Sequence, residues 1–205
     1  MNILQIKSSV FNGSGQSSRL ANEFVAQLLS QHANARVVER DLAADPVPHL
    51  DAARVGAFFA KAAQRTPEQQ AIVAYSDALI AELRAADVVV LGLPMYNFGV
   101  PSQLKAYFDH IARSGETFKY TDQGSVGLLK GKKAYVFAAR GGVYAGTAND
   151  WQTQFVRHFL GFVGITDVEF VYAEGLDLGE DSRNNSISAA QARVHRLAAH
   201  ARLAA

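Results

Sequence analysis

Short apolar runs alternate with segments of helical periodicity along most of the chain. The run Val88 to Leu93 is unbroken and rich in β-branched residues, which is typical of a strand buried on both faces of a parallel sheet. Four further strands are predicted at Asn2 to Lys7, Ala35 to Leu42, Lys133 to Ala139 and Val168 to Tyr172. The second strand in chain order carries several charged residues, so we expect it near an edge of the sheet.

The segments between these strands predict amphipathic helices. Their apolar positions recur at helical spacing: Leu20, Phe24 and Leu28; Ile72, Tyr75, Leu79 and Leu83; Leu104, Tyr107, Phe108 and Ile111; Ile187, Val194 and Leu197. Core packing is predicted for most of a further, aromatic stripe: Trp151, Phe155, Phe159 and Phe162. Residues 43–66 predict a connection with one short helix, and residues 114–132 predict an irregular loop.

This alternation predicts an α/β fold, with one doubly wound, five-stranded parallel sheet in three α/β/α layers and a single domain over residues 1–205. We expect the flavodoxin-like strand order 2-1-3-4-5 with right-handed crossovers. In that order, the loops after the first and third strands are neighbours at the topological switch point. The loop after the fourth strand lies along the same edge.

Composition narrows the function classes. The formal net charge is +1, with Lys and Arg scattered, so nothing indicates binding to nucleic acid or to an anionic membrane. The absence of cysteine excludes disulfides and thiolate metal sites, and the histidines show no metal-ligand spacing, so no metal is predicted. The sequence predicts neither a signal peptide nor a membrane span, and we therefore expect a cytoplasmic protein.

The loop after the first strand, Ser8 to Ser18, is dense in serine and glycine. A strand, a Ser/Gly loop and a helix N terminus together form an anion site, because free N–H groups and the helix dipole point at one spot. Ser17 is the predicted N-cap, and the Ser9 and Ser14 hydroxyls are further donors. The loop matches neither the Gly-Lys-Ser/Thr nor the Gly-x-Gly-x-x-Gly nucleotide motif. An ordinary, well-capped polar turn remains the alternative.

The loop after the central strand is unusually apolar. Pro94 ends the strand because proline has no N–H for the ladder, and Met95, Tyr96, Asn97, Phe98 and Gly99 follow. Loops at the carboxyl ends of strands in open α/β sheets are ligand sites. This loop therefore predicts a cover for a flat, apolar ligand, unless its aromatic rings merely pack on the core.

The fold brings these two loops together and adds a third, Arg140-Gly141-Gly142-Val143-Tyr144, after the fourth strand. A glycine pair at the end of a strand lets a ligand approach the backbone closely. A phosphate cradle beside an aromatic, glycine-edged slot suits a mononucleotide with a flat ring. The joint pattern predicts a site for FMN.

Five segments carry a resemblance to a known family: Lys7-Ser8-Ser9 with Gly15-Gln16-Ser17, Pro94-Met95-Tyr96-Asn97-Phe98, Phe118-Lys119-Tyr120-Thr121, Arg140-Gly141-Gly142, and Phe159-Leu160-Gly161-Phe162-Val163-Gly164-Ile165. Nearly end to end, the chain resembles the FMN-dependent NAD(P)H azoreductases and quinone reductases of flavodoxin-like fold. The Pro-Met-Tyr-Asn-Phe match is specific, whereas the serine loop alone is a weak signal.

The resemblance implies three groups of FMN-binding residues: Ser9, Gly15, Gln16 and Ser17 for the phosphate; Pro94, Met95, Tyr96, Asn97 and Phe98 for the ribityl chain and ring; and Ala139, Arg140, Gly141 and Gly142 for the pyrimidine edge. Ala139 departs from the usual serine of the family: a backbone contact would survive that change, whereas a hydroxyl contact would be lost. The resemblance also implies a homodimer in which Tyr120 and Phe162 line the substrate pocket, with Phe162 coming from the partner subunit.

The implied activity is ping-pong, two-electron hydride transfer from NADH or NADPH through flavin N5 to a quinone or an aromatic azo compound. Backbone N–H groups from Asn97 to Gly99, and those of Gly141 and Gly142, are expected at the two edges of the flavin. Tyr144 is a candidate substrate-binding residue and proton donor, or else a plain surface tyrosine.

Other functions fit the sequence less well. A flavodoxin-like electron carrier without its own NAD(P)H oxidation is the main alternative, but such carriers are usually strongly acidic. A receiver domain needs acidic residues where this chain has Lys7-Ser8-Ser9. A serine hydrolase is not indicated, because the Gly-x-Ser-x-Gly elbow is absent.

Overall fold

A computed structural model describes residues 1–201, in which five strands form the central sheet: β1 (Asn2–Lys7), β2 (Arg36–Asp41), β3 (Val88–Pro94), β6 (Lys133–Ala139) and β7 (Asp167–Ala173). Their order is β2-β1-β3-β6-β7, and every neighbouring pair is parallel. Because β6 and β7 are the fourth and fifth predicted strands, the predicted order is confirmed. The charged strand β2 lies at an edge, also as predicted.

The described residues include six α-helices, of which the first five lie between strands and the sixth follows β7: α1 (Gln16–Gln31), α2 (Ala52–Phe59), α3 (Pro67–Ala85), α4 (Ser102–Ile111), α5 (Trp151–Val163) and α6 (Glu180–His200). Buried residues of α1 and α6, such as Phe24 and Val194, pack on one face of the sheet. Residues of α3, α4 and α5, such as Leu79, Leu104 and Val156, pack on the other face. The molecule therefore has the predicted three layers.

Residues 114–132 are more regular than the sequence indicated. They include an antiparallel hairpin of β4 (Phe118–Thr121) and β5 (Gly124–Gly127), closed by a hydrogen bond from Thr121 Oγ1 to the Gly124 carbonyl of 2.8 Å. Strands of four residues with mostly exposed side chains produce no detectable apolar period, which explains the missed prediction.

The prediction of core packing for the aromatic stripe is wrong at its first half. The buried face of α5 is Gln152, Val156, Leu160 and Val163, one residue further along the helix than the aromatic stripe. One residue is about 100° of rotation, so the aromatic stripe lies at the margin of the core. Trp151 and Phe155 are 63% and 36% exposed, while Phe159 and Phe162 are half-buried against the core.

The predicted N-cap is also wrong. Helix α1 begins at Gln16 after Gly15, and Ser17 lies buried within its first turn. Glycine is needed at position 15 because a Cβ there would lie 2.3 Å from Ser9 Oγ.

The predicted domain extends to residue 205, and its last residues, 202–205, lie outside the described part of the chain. Within residues 1–201, no helix combines the length and the hydrophobicity needed to cross a bilayer.

Candidate functional site

Two adjoining cavities lie where the loops after β1, β3 and β6 meet. The first, of about 350 Å³, is lined by most of the predicted cofactor-binding residues: Ser9, Gly15, Gln16, Ser17, Pro94, Met95, Tyr96, Ala139, Arg140 and Gly141. The second, of about 430 Å³, is lined by the remaining ones, Asn97, Phe98 and Gly142, and by Tyr144. Met95 and Gly141 line both cavities, so the predicted residues form one extended site.

The N terminus of α1 forms one end of this site. Its first intrahelical hydrogen bond runs from Arg19 N to Gly15 O at 2.9 Å, so the N–H groups of Gln16 and Ser17 have no acceptor within the helix. Ser17 Oγ is fully buried and has no hydrogen-bond partner among the residues that the structure describes. No acidic residue lies in this first turn. An anion with several acceptor oxygens, such as a phosphate group, satisfies all of these donors.

The aromatic loop after β3 is a tight turn. Tyr96 and Gly99 exchange two backbone hydrogen bonds, at 3.3 and 3.0 Å. The central residues Asn97 and Phe98 both have positive φ, 49° and 67°, as in a type I′ turn. The N–H groups of Asn97 and Phe98 make no hydrogen bond within residues 1–201. The expectation for Gly99 is wrong, because its N–H donates to Tyr96 O instead of facing a ligand.

The glycine loop after β6 presents two more free donors. The carbonyls of Gly141 and Gly142 accept hydrogen bonds from Asp177 N and Gly175 N, at 3.0 and 2.9 Å. The N–H groups of Gly141 and Gly142 have no acceptor in the described chain. A Cβ on Gly141 would lie 2.3 Å from Asp177 Oδ2, so a larger residue at position 141 would displace the Asp177 side chain. The Ala139 carbonyl accepts Met95 N at 3.0 Å and joins this loop to the aromatic loop.

The Arg140 side chain does not serve the cavity directly, although its residue was predicted to bind the cofactor. The guanidinium is fully buried and makes ion pairs of 2.9 Å with both Asp150 and Glu174. It also lies over the Tyr172 ring, 5.0 Å from the centroid. Burial alone would raise the pKa of Asp150, but hydrogen bonds from Thr153 and Arg140 outweigh it and lower that pKa. Asp150 is therefore an ionised partner that holds Arg140 in place.

Sequence reasoning missed several residues that build the site. Glu174 accepts the N–H groups of Tyr144 and Ala145, at 2.9 and 3.0 Å, and so shapes the loop after β6. Asp177 and Arg183 line the first cavity. The position of Glu174 immediately after β7, at the ligand-binding edge of the sheet, was a usable signal. The sequence around Asp177 and Arg183 contained none.

The three predicted substrate residues do not lie together within one chain. Tyr144 lies in the second cavity and meets the Phe98 ring edge-on, with centroids 5.7 Å apart. Tyr120, on the hairpin, is 73% exposed, and Phe162 packs on Phe118 with centroids 4.3 Å apart. Neither Tyr120 nor Phe162 lines the two cavities of its own chain.

Comparisons with known proteins agree with this geometry. A family model described as flavodoxin-like fold matches residues 1–198. The FMN-dependent NADH:quinone oxidoreductase of Alcanivorax borkumensis is 58% identical over 194 residues, which cover 95% of this chain and 98% of that protein. The protein of the same name from Cellvibrio japonicus is 60% identical over 87% of this chain and 89% of its own length.

Solved structures give the same result. An azoreductase from Bacillus anthracis is 31% identical, with a TM-score of 0.90 over 98% of this chain and 100% of its own. An FMN-dependent NADH-azoreductase from the same species, in complex with FMN, is 28% identical with a TM-score of 0.85. The match covers 97% of this chain and 100% of that structure.

Proposed function

The chain belongs to the FMN-dependent NADH:quinone oxidoreductases of flavodoxin-like fold, and we propose that it binds FMN across the two adjoining cavities and reduces quinones and aromatic azo compounds. The buried, unpartnered Ser17 Oγ at the N terminus of α1 is the observation that carries the proposal. A buried hydroxyl without a partner in residues 1–201, close to a turn with unbonded N–H groups, supports a phosphate position at this helix end. When bound, FMN supplies the chemistry by accepting two electrons from NADH and giving them to the acceptor.

The three loops divide the work of binding. Ser17 Oγ, the N–H groups of Gln16 and Ser17, and the dipole of α1 hold the phosphate group. The N–H groups of Asn97 and Phe98 bind one polar edge of the ring, and those of Gly141 and Gly142 bind the other edge. Because these donors are fixed before the reaction, they stabilise negative charge on the ring without reorganisation.

Tyr144 is placed to act on the substrate. Its ring closes the second cavity against Phe98, and its hydroxyl makes no hydrogen bond within the described chain. The hydroxyl is therefore free to orient a quinone oxygen or to deliver a proton to it. We propose that NADH and the acceptor use this cavity in turn, which gives ping-pong kinetics.

We also propose a homodimer with shared active sites, working in the cytoplasm, where NADH is available. A third cavity, of about 450 Å³, adjoins the aromatic turn and is lined by Phe98, Trp151 and Phe155. Trp151 and Phe98 are 63% and 56% exposed, an arrangement typical of an interface. A partner chain on this face offers a role for Tyr120 and Phe162, which line neither of the two adjoining cavities of their own chain.

An absorption spectrum of the purified protein, followed by anaerobic titration with NADH and with NADPH, tests the function. We expect a yellow protein whose flavin colour is bleached by NADH or by NADPH without an added reductase. Double-reciprocal plots of the initial rate against NADH concentration should give parallel lines at several quinone concentrations. A flavodoxin-like carrier would bind FMN but would need a separate reductase. A protein that stays colourless after incubation with FMN contradicts the proposal.

A further inference from the structure

The side chain of Gln152 lies between the two loops assigned to the flavin ring. Gln152 is the second residue of α5 and is 1% exposed. Its Nε2 donates to the carbonyls of Pro94 and Gly99, at 2.8 and 2.9 Å. Its Oε1 accepts from Arg140 Nε at 3.1 Å. One amide thus joins the aromatic loop to the glycine loop.

The two carbonyls that Gln152 binds flank the aromatic turn: Pro94 is the last residue of β3, and Gly99 closes the turn. Between them lie Asn97 and Phe98, both with positive φ. Asparagine tolerates this conformation, but phenylalanine adopts it only when its surroundings hold it there. The donated hydrogen bonds from Gln152 fix both ends of the turn, and thereby the direction of the Asn97 and Phe98 N–H groups.

The Gln152 Oε1 atom is linked to the glycine loop through Arg140. Arg140 precedes Gly141, and its guanidinium binds Glu174, which in turn accepts the N–H groups of Tyr144 and Ala145. Because Arg140 also donates to Gln152, both loops are held by one buried polar cluster. The spacing between the two sets of free N–H groups is therefore set by side chains that do not line the second cavity.

We propose that Gln152 is a positioning residue for the flavin ring, acting through its two donated hydrogen bonds to Pro94 and Gly99. The inference rests on the proposed function. Its specific consequence is that an amide is required at position 152. A carboxylate of the same shape accepts from Arg140 equally well but cannot donate to the two carbonyls.

The test compares Gln152→Glu and Gln152→Met with the matched control Gln154→Glu, which makes the same change at an exposed position of α5. Titration of each apoprotein with FMN, followed by quenching of flavin fluorescence, gives the dissociation constant. Loss of two buried hydrogen bonds should raise it by about 10-fold or more in both Gln152 variants. The absorption bands of the bound flavin should also shift, and Gln154→Glu should behave as wild type.

Urea unfolding of each apoprotein separates positioning from a purely structural role. If Gln152 acts only by accepting the hydrogen bond from Arg140, Gln152→Glu keeps the wild-type stability and FMN affinity, and that result overturns the inference. Should Gln152→Glu fail to fold, Gln152→Met removes the same donors without a buried charge, and wild-type affinity in that variant also overturns it. A wild-type protein that does not bind FMN overturns the proposed function itself, so the two failures are distinguishable.

Discussion

Tyr96 and Ser9 meet between the loops after β3 and β1, with Tyr96 Oη 3.4 Å from Ser9 Oγ. The same hydroxyl accepts the N–H of Val10 at 3.2 Å. A side chain of the aromatic turn thereby fixes the loop that leads to the N terminus of α1. The phosphate end and the ring end of the site are therefore linked through one phenol.

We expect Tyr96→Phe to remove the hydrogen bonds that link the two ends while keeping an aromatic ring at position 96. Loss of hydrogen bonds to a neutral hydroxyl costs about 1 kcal/mol, or roughly a 5-fold weaker affinity for FMN. Fluorescence titration of the apoprotein measures this effect. Tyr75→Phe is the matched control, because Tyr75 lies outside the site and its buried hydroxyl has no hydrogen-bond partner within residues 1–201. An equal loss of affinity in both variants would contradict the assignment.

Ser17→Ala should affect stability and binding in opposite directions. The Ser17 hydroxyl is buried without a hydrogen bond, so its removal should raise the free energy of unfolding of the apoprotein by about 1 kcal/mol. The same change removes a phosphate donor and should weaken FMN binding several-fold. Urea unfolding and FMN titration measure the two effects, with the exposed Ser30→Ala as control. A variant that loses stability and keeps its affinity would exclude a ligand role for this hydroxyl.

The sheet and its loops could be predicted because buried parallel strands are nearly continuous apolar runs, as Val88 to Leu93 illustrates. The positions of the three loops could be predicted because the strand order brings the loops to one edge of the sheet. Side-chain direction was not predictable in the same way. Arg140 was assigned to the cofactor by the family resemblance, yet its guanidinium is buried against Asp150 and Glu174.

Gln152 shows why part of the site escaped prediction. No local pattern distinguishes it from Gln154 two residues later, and only the packing of α5 under the loops gives it partners at Pro94, Gly99 and Arg140. The aromatic stripe of α5 was assigned to the core for a related reason, because the buried face lies one residue further along the helix. A one-residue rotation of a helix is decided by tertiary packing, which the spacing of apolar residues defines only coarsely.

Trp151→Glu should weaken the proposed dimer. Trp151 is 63% exposed beside Phe98 and Phe155, and a buried tryptophan at an interface is typically worth 2 kcal/mol or more, which corresponds to roughly a 30-fold weaker association. Sedimentation velocity over a concentration series measures this change. Phe59→Glu on α2 is the control, because Phe59 is 83% exposed and does not line this cavity. Dimers of unchanged strength in Trp151→Glu would place the interface elsewhere.

Asp150→Asn should remove part of the pH dependence of stability. Asp150 Oδ1 pairs with Arg140 Nη2 at 2.9 Å and accepts Thr153 N at 3.0 Å, and its pKa lies below the ordinary value. A lowered pKa in the folded state adds stability above the unfolded pKa of about 3.9, and this contribution is lost as the pH falls through the folded pKa. Asparagine still caps α5 but carries no charge.

Urea unfolding at neutral pH and at several values between pH 5 and pH 2 measures this contribution. At neutral pH, Asp150→Asn should be less stable than wild type by about 1–3 kcal/mol, because within residues 1–201 Arg140 keeps only Glu174 as an ion-pair partner. The difference should begin to narrow near pH 3.9, where the carboxylate of the unfolded chain takes up a proton, and should narrow further as the pH falls through the lower pKa of the folded state. Asp122→Asn, at an exposed turn of the hairpin, should follow wild type throughout. A difference that stays constant with pH would mean that the charge of Asp150 does not stabilise the folded protein.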